Sequence, residues 1–195
     1  MNILSLLAEK YRTDKGEWHH GYTPIYHKYF EQIRHKHLRL LEIGIGGYEF
    51  PDKGGESLRM WREYFTKADI TGFDLHPKQP IQGCTVLQGS QIDTDFLNTL
   101  GSYDIVIDDG SHHNAHIITT FNSLWSKLNA GGIYVIEDTE TSYWHDYYGG
   151  GNHEMTSMNY FKRVADSLNP ESDMPNIGIE SIHFYSGLIF IFKCH

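Results

Sequence analysis

Short apolar runs of strand length alternate along this chain with apolar residues at helical spacing. The runs fall at residues 38–47, where a glycine turn follows, at 68–74, at 85–91, at 104–109 and at 133–138. Between them lie stripes of helical period: Leu58, Trp61 and Phe65; a short segment at residues 95–100; Ile118, Phe121, Trp125 and Leu128; and Phe161, Val164, Ala165 and Leu168. Asn129-Ala-Gly-Gly132 reads as the stop of the third of these helices. Strand and helix in strict alternation predict an α/β fold with a doubly wound, mostly parallel sheet. Two apolar runs around Ser186-Gly187, within residues 180–193, predict a hairpin that closes the sheet with an antiparallel strand.

Residues 1–36 read as a helical cover ahead of this core. Ile3, Leu4 and Leu7 form a short stripe, and Thr23-Pro24 is a good helix start, with Thr at the N-cap and Pro at the first helical position. Ile25, Tyr26, Tyr29, Phe30 and Ile33 then follow at helical spacing, and core packing accounts for the tyrosines. Residues 48–55 form an insertion rich in Pro and Gly, hence a loop, after which Ser57 is expected to cap a helix. Residues 139–152 are aromatic, then glycine-rich, without periodicity, and read as an active-site loop or lid. Pattern alone gives one domain over residues 1–195, with the cover at 1–36 and the core at 37–195.

Composition narrows the field. A length of 195 residues suits one substantial core, and 39% hydrophobic with 14% aromatic residues is a globular composition. A net charge of -9 argues against a nucleic-acid surface, which needs clustered Lys and Arg. No apolar run reaches the ~18 residues of a membrane span, and the N-terminus has no basic region of a signal peptide. Cys84 and Cys194 lack metal-type spacing and suit two free thiols in a reducing compartment. The expected location is the cytoplasm.

The chemistry concentrates at two strand tips. Asp104-Ile-Val-Ile-Asp-Asp-Gly-Ser-His-His113 and Ile133-Tyr-Val-Ile-Glu-Asp138 each end in adjacent acids. Ligands of open α/β sheets sit outside the carboxyl ends of the strands. If the two strands are neighbours, Asp109, Glu137 and Asp138 converge, and each pair of carboxylates at 4 Å repels by roughly 4 kcal/mol at an effective dielectric of 20. A hard divalent cation removes that repulsion, with His112 beside it as a base. Helix capping or pairing with Lys and Arg is the plainer account of the same acids. Successive strand residues face opposite ways, so Asp109 is assigned to the metal and Asp108 to the cofactor side. The glycines at 44–47 let backbone approach a ligand, and Asp74, at the end of the second strand, stands where nucleoside-binding sheets hold ribose hydroxyls. A glycine turn alone is also just a sharp bend, and the gap from Gly44 to Asp74 exceeds the usual ~20 residues; the insertion at 48–55 accounts for the excess.

Several pieces then fall in a specific order: Thr13-Asp-Lys-Gly16, Tyr22-Thr-Pro24, Leu41-Glu-Ile-Gly-Ile-Gly-Gly-Tyr48, Gly55-Glu-Ser-Leu-Arg-Met-Trp61, Ile107-Asp-Asp-Gly-Ser-His112, and Val135-Ile-Glu-Asp138 with Thr141-Ser-Tyr-Trp144. Together they resemble the metal-dependent class I S-adenosylmethionine O-methyltransferases that act on macrolide sugars, from about Leu7 to the end. The resemblance implies a Rossmann-like sheet of seven strands and a cofactor, S-adenosylmethionine, at Glu42, Gly44, Gly46 and Asp74. It implies Mg2+, with Mn2+ the alternative, on Asp109, Glu137 and Asp138, and His112 as general base. Ser90 and Gln91 then lie where the adenine belongs, and Ser57 reaches the cofactor across the insertion. The acceptor implied is a small hydroxylated, sugar-containing molecule, with no nucleic-acid or membrane partner, and family likeness suggests a homo-oligomer. The macrolide enzymes carry an additional N-terminal region for which this chain has no room, so the acceptor stays open.

Three other readings compete. A nicotinamide-dependent oxidoreductase or epimerase on the same sheet prefers a tighter glycine turn and a Tyr/Lys pair at helical spacing, neither of which is found. A metal-dependent hydrolase would place a transition metal on Asp109, His112, His113 and His116. A sheet that binds S-adenosylmethionine only as a scaffold would bind cofactor and never turn over.

Overall fold

A computed structural model describes residues 2–147 and 155–195. Among them are seven strands in one sheet, in the order β3-β2-β1-β4-β5-β7-β6: β1 Arg39–Ile43, β2 Asp69–Asp74, β3 Cys84–Gln88, β4 Tyr103–Asp108, β5 Leu128–Ile136, β6 Ile179–Tyr185 and β7 Leu188–Lys193. The sheet is parallel apart from its C-terminal antiparallel hairpin, as the alternation of patterns predicts. The chain divides into two compact units, residues 1–89 and 90–195.

In the first unit β1, β2 and β3 run parallel, with Leu40 opposite Ile70 and Phe73 opposite Leu87. Leu40, Leu41, Ile43, Ile70 and Phe73 are all at most 2% exposed, so residues on both faces of β1 and β2 are buried, as in a covered parallel sheet. Helices α1 (Ile3–Tyr11), α2 (Thr23–Phe30) and α3 (Glu56–Tyr64) pack an aromatic cluster in this unit. Tyr26 and Trp61 meet edge-on at 5.0 Å, Phe30 and Phe65 lie 5.4 Å apart, and all four are fully buried. Each such side chain contributes on the order of 1.5–3 kcal/mol by leaving water. Two expected caps are corrected. Thr23 is itself the first helical residue, and its hydroxyl joins α2 to α1 by bonding Ser5 Oγ at 2.9 Å. Ser57 lies inside α3, whose N-cap is Gly55 at φ +83°, a left-handed conformation that favours glycine.

The second unit holds α4 (Thr94–Thr99), α5 (Asn114–Leu124), α6 (Ser157–Asp166) and strands β4 to β7. β4 pairs with β5 in parallel, and β7 returns antiparallel on β5 with β6 outside it, joined through Ser186-Gly187 at Gly187 φ +72°. Two sequence expectations shift here. Gly131 and Gly132 do not stop a helix: α5 ends at Leu124, a 3-10 turn covers Trp125–Lys127, and both glycines lie within β5 beside a register irregularity. The buried face of α5 is Asn114, Ile117, Thr120, Phe121 and Leu124; of the expected stripe, Phe121, Trp125 and Leu128 are buried, while Ile118 is only partly so and Trp125 and Leu128 lie beyond the helix. The polar Asn114 and Thr120 set the helix phase because their bonds are made inside, and a count of apolar positions cannot see them. Leu168 lies beyond α6 and is exposed. Among the described residues, no helix is long and apolar enough to cross a membrane.

Candidate active site

In the first unit the turn after β1 is built around Asp74. Gly44 N–H donates to Phe73 O at 2.9 Å, and Gly44, Gly46 and Gly47 all have positive φ. Asp74, half-buried at the end of β2, accepts from Ile45 N through Oδ2 and from His76 N through Oδ1, both at 2.9 Å. One carboxylate therefore ties the glycine turn to the segment after β2. Each oxygen keeps further acceptor capacity for a hydroxyl. The insertion folds back on this turn: Gly55 N–H donates to Ile45 O at 2.7 Å, and Lys78 Nζ donates to the carbonyls of Tyr48 and Phe50.

Glu42 and Ser57 meet each other. The Ser57 hydroxyl donates to Glu42 Oε2 at 2.9 Å and Trp61 Nε1 donates to Oε1 at 3.1 Å. Lys15 Nζ lies 3.8 Å from the same carboxylate, and both side chains are almost wholly buried. The Thr13-Asp-Lys-Gly16 segment thus brings a buried cation to the end of β1.

In the second unit Gln91 is a strut. Its amide donates to Asp108 Oδ1 at 3.3 Å and to Thr120 Oγ1 at 3.0 Å, and its Oε1 accepts from Ser111 N at 2.6 Å. A Cβ at Gly110 would lie 2.2 Å from Gln91 Oε1, so a side chain there would displace the Gln91 amide from its bonds. Ser90 opens the same turn, its hydroxyl oxygen accepting from Ile92 N at 3.4 Å. Asp108, at the tip of β4, is 2% exposed. Burial lifts its pKa to about 7, the Asp109 charge adds to that, and the Gly110 N–H, Gln91 and Tyr134 hold it back. Tyr134, itself buried in β5, is pushed well above the usual phenol range by burial and then by the Asp108 charge.

Asp109, His112 and Asp138 come together, their ligand atoms within 4.8 Å of one another. His112 Nε2 is 3.9 Å from Asp109 Oδ1 and 3.6 Å from Asp138 Oδ2, and the three side chains are each about a fifth exposed. Glu137 stays outside this group: it is 2% exposed, and its N–H continues the β4–β5 ladder by donating to Asp108 O at 3.0 Å. Among the further histidines, His116 Nδ1 is 2.7 Å from Ser111 Oγ, burial lowers its pKa, and His113 packs against it at 5.0 Å.

Sequence reading missed two residues that organise the surroundings. Asn114, buried at the start of α5, donates to Ser142 O at 3.3 Å and Tyr147 O at 3.0 Å, and its Oδ1 accepts from Ser157 N at 2.6 Å. Thr141, also buried, bonds the carbonyls of His112 and Asp138. Both fall inside the quoted motifs or directly after them, but nothing in a single sequence shows which backbone groups they reach. Of the expected active-site loop, Thr139–Tyr143 and His145–Tyr147 are 3-10 turns, with Tyr143 and Trp144 about half exposed; residues 148–152 lie outside the described residues.

No family model matches the chain. It is 39% identical to demethylmacrocin O-methyltransferase of Streptomyces fradiae, over 97% of this chain and 53% of that protein. It is 36% identical to mycinamicin VI 2''-O-methyltransferase of Micromonospora griseorubida, over 97% of this chain and 52% of that one. A tetracenomycin-C rhamnosyl 3'-O-methyltransferase of Streptomyces olivaceus is 39% identical over 97% of this chain and 53% of its own length. Among solved structures, the mycinamicin-pathway methyltransferase MycE in complex with Mg and SAH matches at TM-score 0.91 and 36% identity, over 100% of this chain and 54% of that one. The same enzyme with Mg, SAH and mycinamicin VI matches at TM-score 0.91 and 37% identity, over 55% of its length. The resemblance drawn from the motifs therefore holds across nearly the whole chain, and the chain spans about half the length of the curated relatives it matches.

Proposed function

We propose that this chain, a relative of the sugar O-methyltransferases, is an S-adenosylmethionine-dependent and Mg2+-dependent O-methyltransferase acting on a hydroxyl of a sugar or glycosylated natural product. The observation that carries the reading is the Asp109, His112 and Asp138 group at the tips of β4 and β5. Beside it stands identity of 39% and 36%, over 97% of this chain, to enzymes named for that activity.

The donor set fits the ion. Carboxylate oxygens suit Mg2+ or Mn2+ over softer metals, and partial exposure leaves room for substrate oxygens. Asp109 and Asp138 would hold it, and Glu137, outside their group and buried, would have to turn toward them to join as the third acid. When bound, Mg2+ supplies Lewis-acid polarisation of the acceptor hydroxyl. His112 takes the hydroxyl proton at Nε2, and the imidazolium so formed is flanked by two carboxylates. Asp74 binds the ribose of the cofactor, and the backbone at Gly44 and Gly46 approaches its amino-acid end. Ser90 and Gln91 line the adenine side, with Asp108 on the cofactor side of β4. Glu42 and Ser57, bonded to each other, complete the cofactor-binding set. Holding donor and acceptor in line supplies much of the acceleration. The reading takes residues 1–195 as one methyltransferase domain with 1–36 as its helical cover, working on a small molecule in a reducing, cytoplasmic setting where Cys84 and Cys194 stay free thiols.

A methyl-transfer assay with candidate glycosides, with and without EDTA, tests it. Chelation should abolish activity and added Mg2+ restore it, and His112→Ala should lose about 10²–10⁴-fold in kcat. Activity indifferent to EDTA overturns the metal assignment.

A further inference from the structure

Among the described residues, four other than glycine have positive φ: Arg12, Tyr48, His112 and Asp138. Two of these carry side chains of the proposed metal group, at φ +58° and +53°. Non-glycine residues persist in this left-handed region only where the surroundings over-determine it. The carbonyls of both residues meet the same atom. Thr141 Oγ1 lies 3.1 Å from His112 O and 2.7 Å from Asp138 O, and Thr141 is 3% exposed.

The bond to Asp138 O is local, three residues back, where the Thr141 N–H also donates at 3.1 Å. Threonine makes such bonds wherever a turn permits, so this one alone is ordinary structure. The bond to His112 O spans 29 residues and joins the turn after β5 to the turn after β4. A hydroxyl has one proton to give, so the two carbonyls share it in a three-centre arrangement that holds both turns against one oxygen. Asn114 reinforces the same junction from α5 by holding Ser142 O.

We propose that Thr141 is a positioning residue for the site: its single buried hydroxyl clasps the two left-handed turns, and so sets the spacing of His112 against Asp138 and Asp109. The inference rests on the metal reading of that group. Groups that orient a ligand without touching the metal change affinity by about 10–100-fold when removed.

The test uses Thr141→Val, which keeps the shape and removes the donor, and Thr141→Ser, which keeps the donor. Mn2+ binding is followed by electron paramagnetic resonance of the free ion, and folding by thermal unfolding without metal. Thr141→Val should bind Mn2+ about 10–100-fold more weakly than the wild type, with Thr141→Ser restoring affinity. A folded Thr141→Val variant with wild-type Mn2+ affinity overturns the inference. A wild-type chain that takes up no Mn2+ overturns the metal reading, and this inference falls with it. A crystal structure of the wild-type chain soaked in Mn2+ supplies a check that no folding defect can spoil. Both Thr141 bonds kept beside the bound ion support the clasp; either one broken refutes it.

Discussion

Asp74 shows how one side chain serves both the structure and the proposed chemistry. Its carboxylate fixes the glycine turn through Ile45 N and the following segment through His76 N. Asp74→Ala should therefore weaken binding of S-adenosylhomocysteine by at least about 10-fold, since two charge-assisted bonds of roughly 1.5–3 kcal/mol each are lost around the turn. Isothermal calorimetry measures this directly, and unchanged affinity refutes the assignment. Asp108 makes a prediction in pH. Its carboxyl is raised from 3.8 to about 7 on folding, so the folded state holds a proton that the unfolded chain releases. That stabilisation is complete below pH about 4 and is lost as the pH climbs to about 7. Metal-free unfolding by urea at several pH values should show stability falling across this window, and a flatter profile in Asp108→Asn. The meeting of Asp109, His112 and Asp138 was legible in the sequence because β-branched runs announce the strands and acids terminate them, whereas Glu137, expected with them, stays outside the group. The bonds that Gln91 and Thr141 make were not legible, because their partners are backbone groups or residues some twenty to thirty positions away.

At the scale of elements, α5 carries the clearest lesson. Its existence was legible, and Phe121 with it, but not its full buried face, since Asn114 and Thr120 are buried polar residues satisfied by other parts of the unit. Likewise the start of β5 hides behind two glycines that look like a helix stop and serve a register irregularity. The cap of α3 was misplaced for a related reason: Ser57 has the chemistry of an N-cap, but its hydroxyl is committed to Glu42. Asn114 links the start of α5, the turns at 139–147 and the start of α6. Asn114→Ala leaves a buried N–H and two buried carbonyls to find new partners, at about 1–3 kcal/mol for each that fails. Amide exchange should quicken at Ser157 and along residues 139–147 while β1 to β3 keep their protection; uniform protection across the variant refutes the link.

For the whole molecule, the fold class was legible almost entirely from the alternation of periods, because buried parallel strands and amphipathic helices leave strong signals. The acceptor was not, since recognition of a small molecule depends on exposed side chains that no periodicity constrains, and the relatives are about twice as long. A metal that binds only the folded chain must stabilise it. Mn2+ at 100 times its Kd should add about 2.7 kcal/mol, seen as a raised unfolding midpoint that EDTA reverses. An unmoved midpoint counts against the metal. A last consequence follows from the ion pair sealed between Lys15 and Glu42. Removing one partner of such a pair strands the other's charge away from water, at about 3–5 kcal/mol, whereas exchanging both for apolar residues is far milder. Evolution should therefore treat the two positions as a unit: sequences that drop the lysine are expected to drop the glutamate with it, and hybrids retaining only one should be scarce.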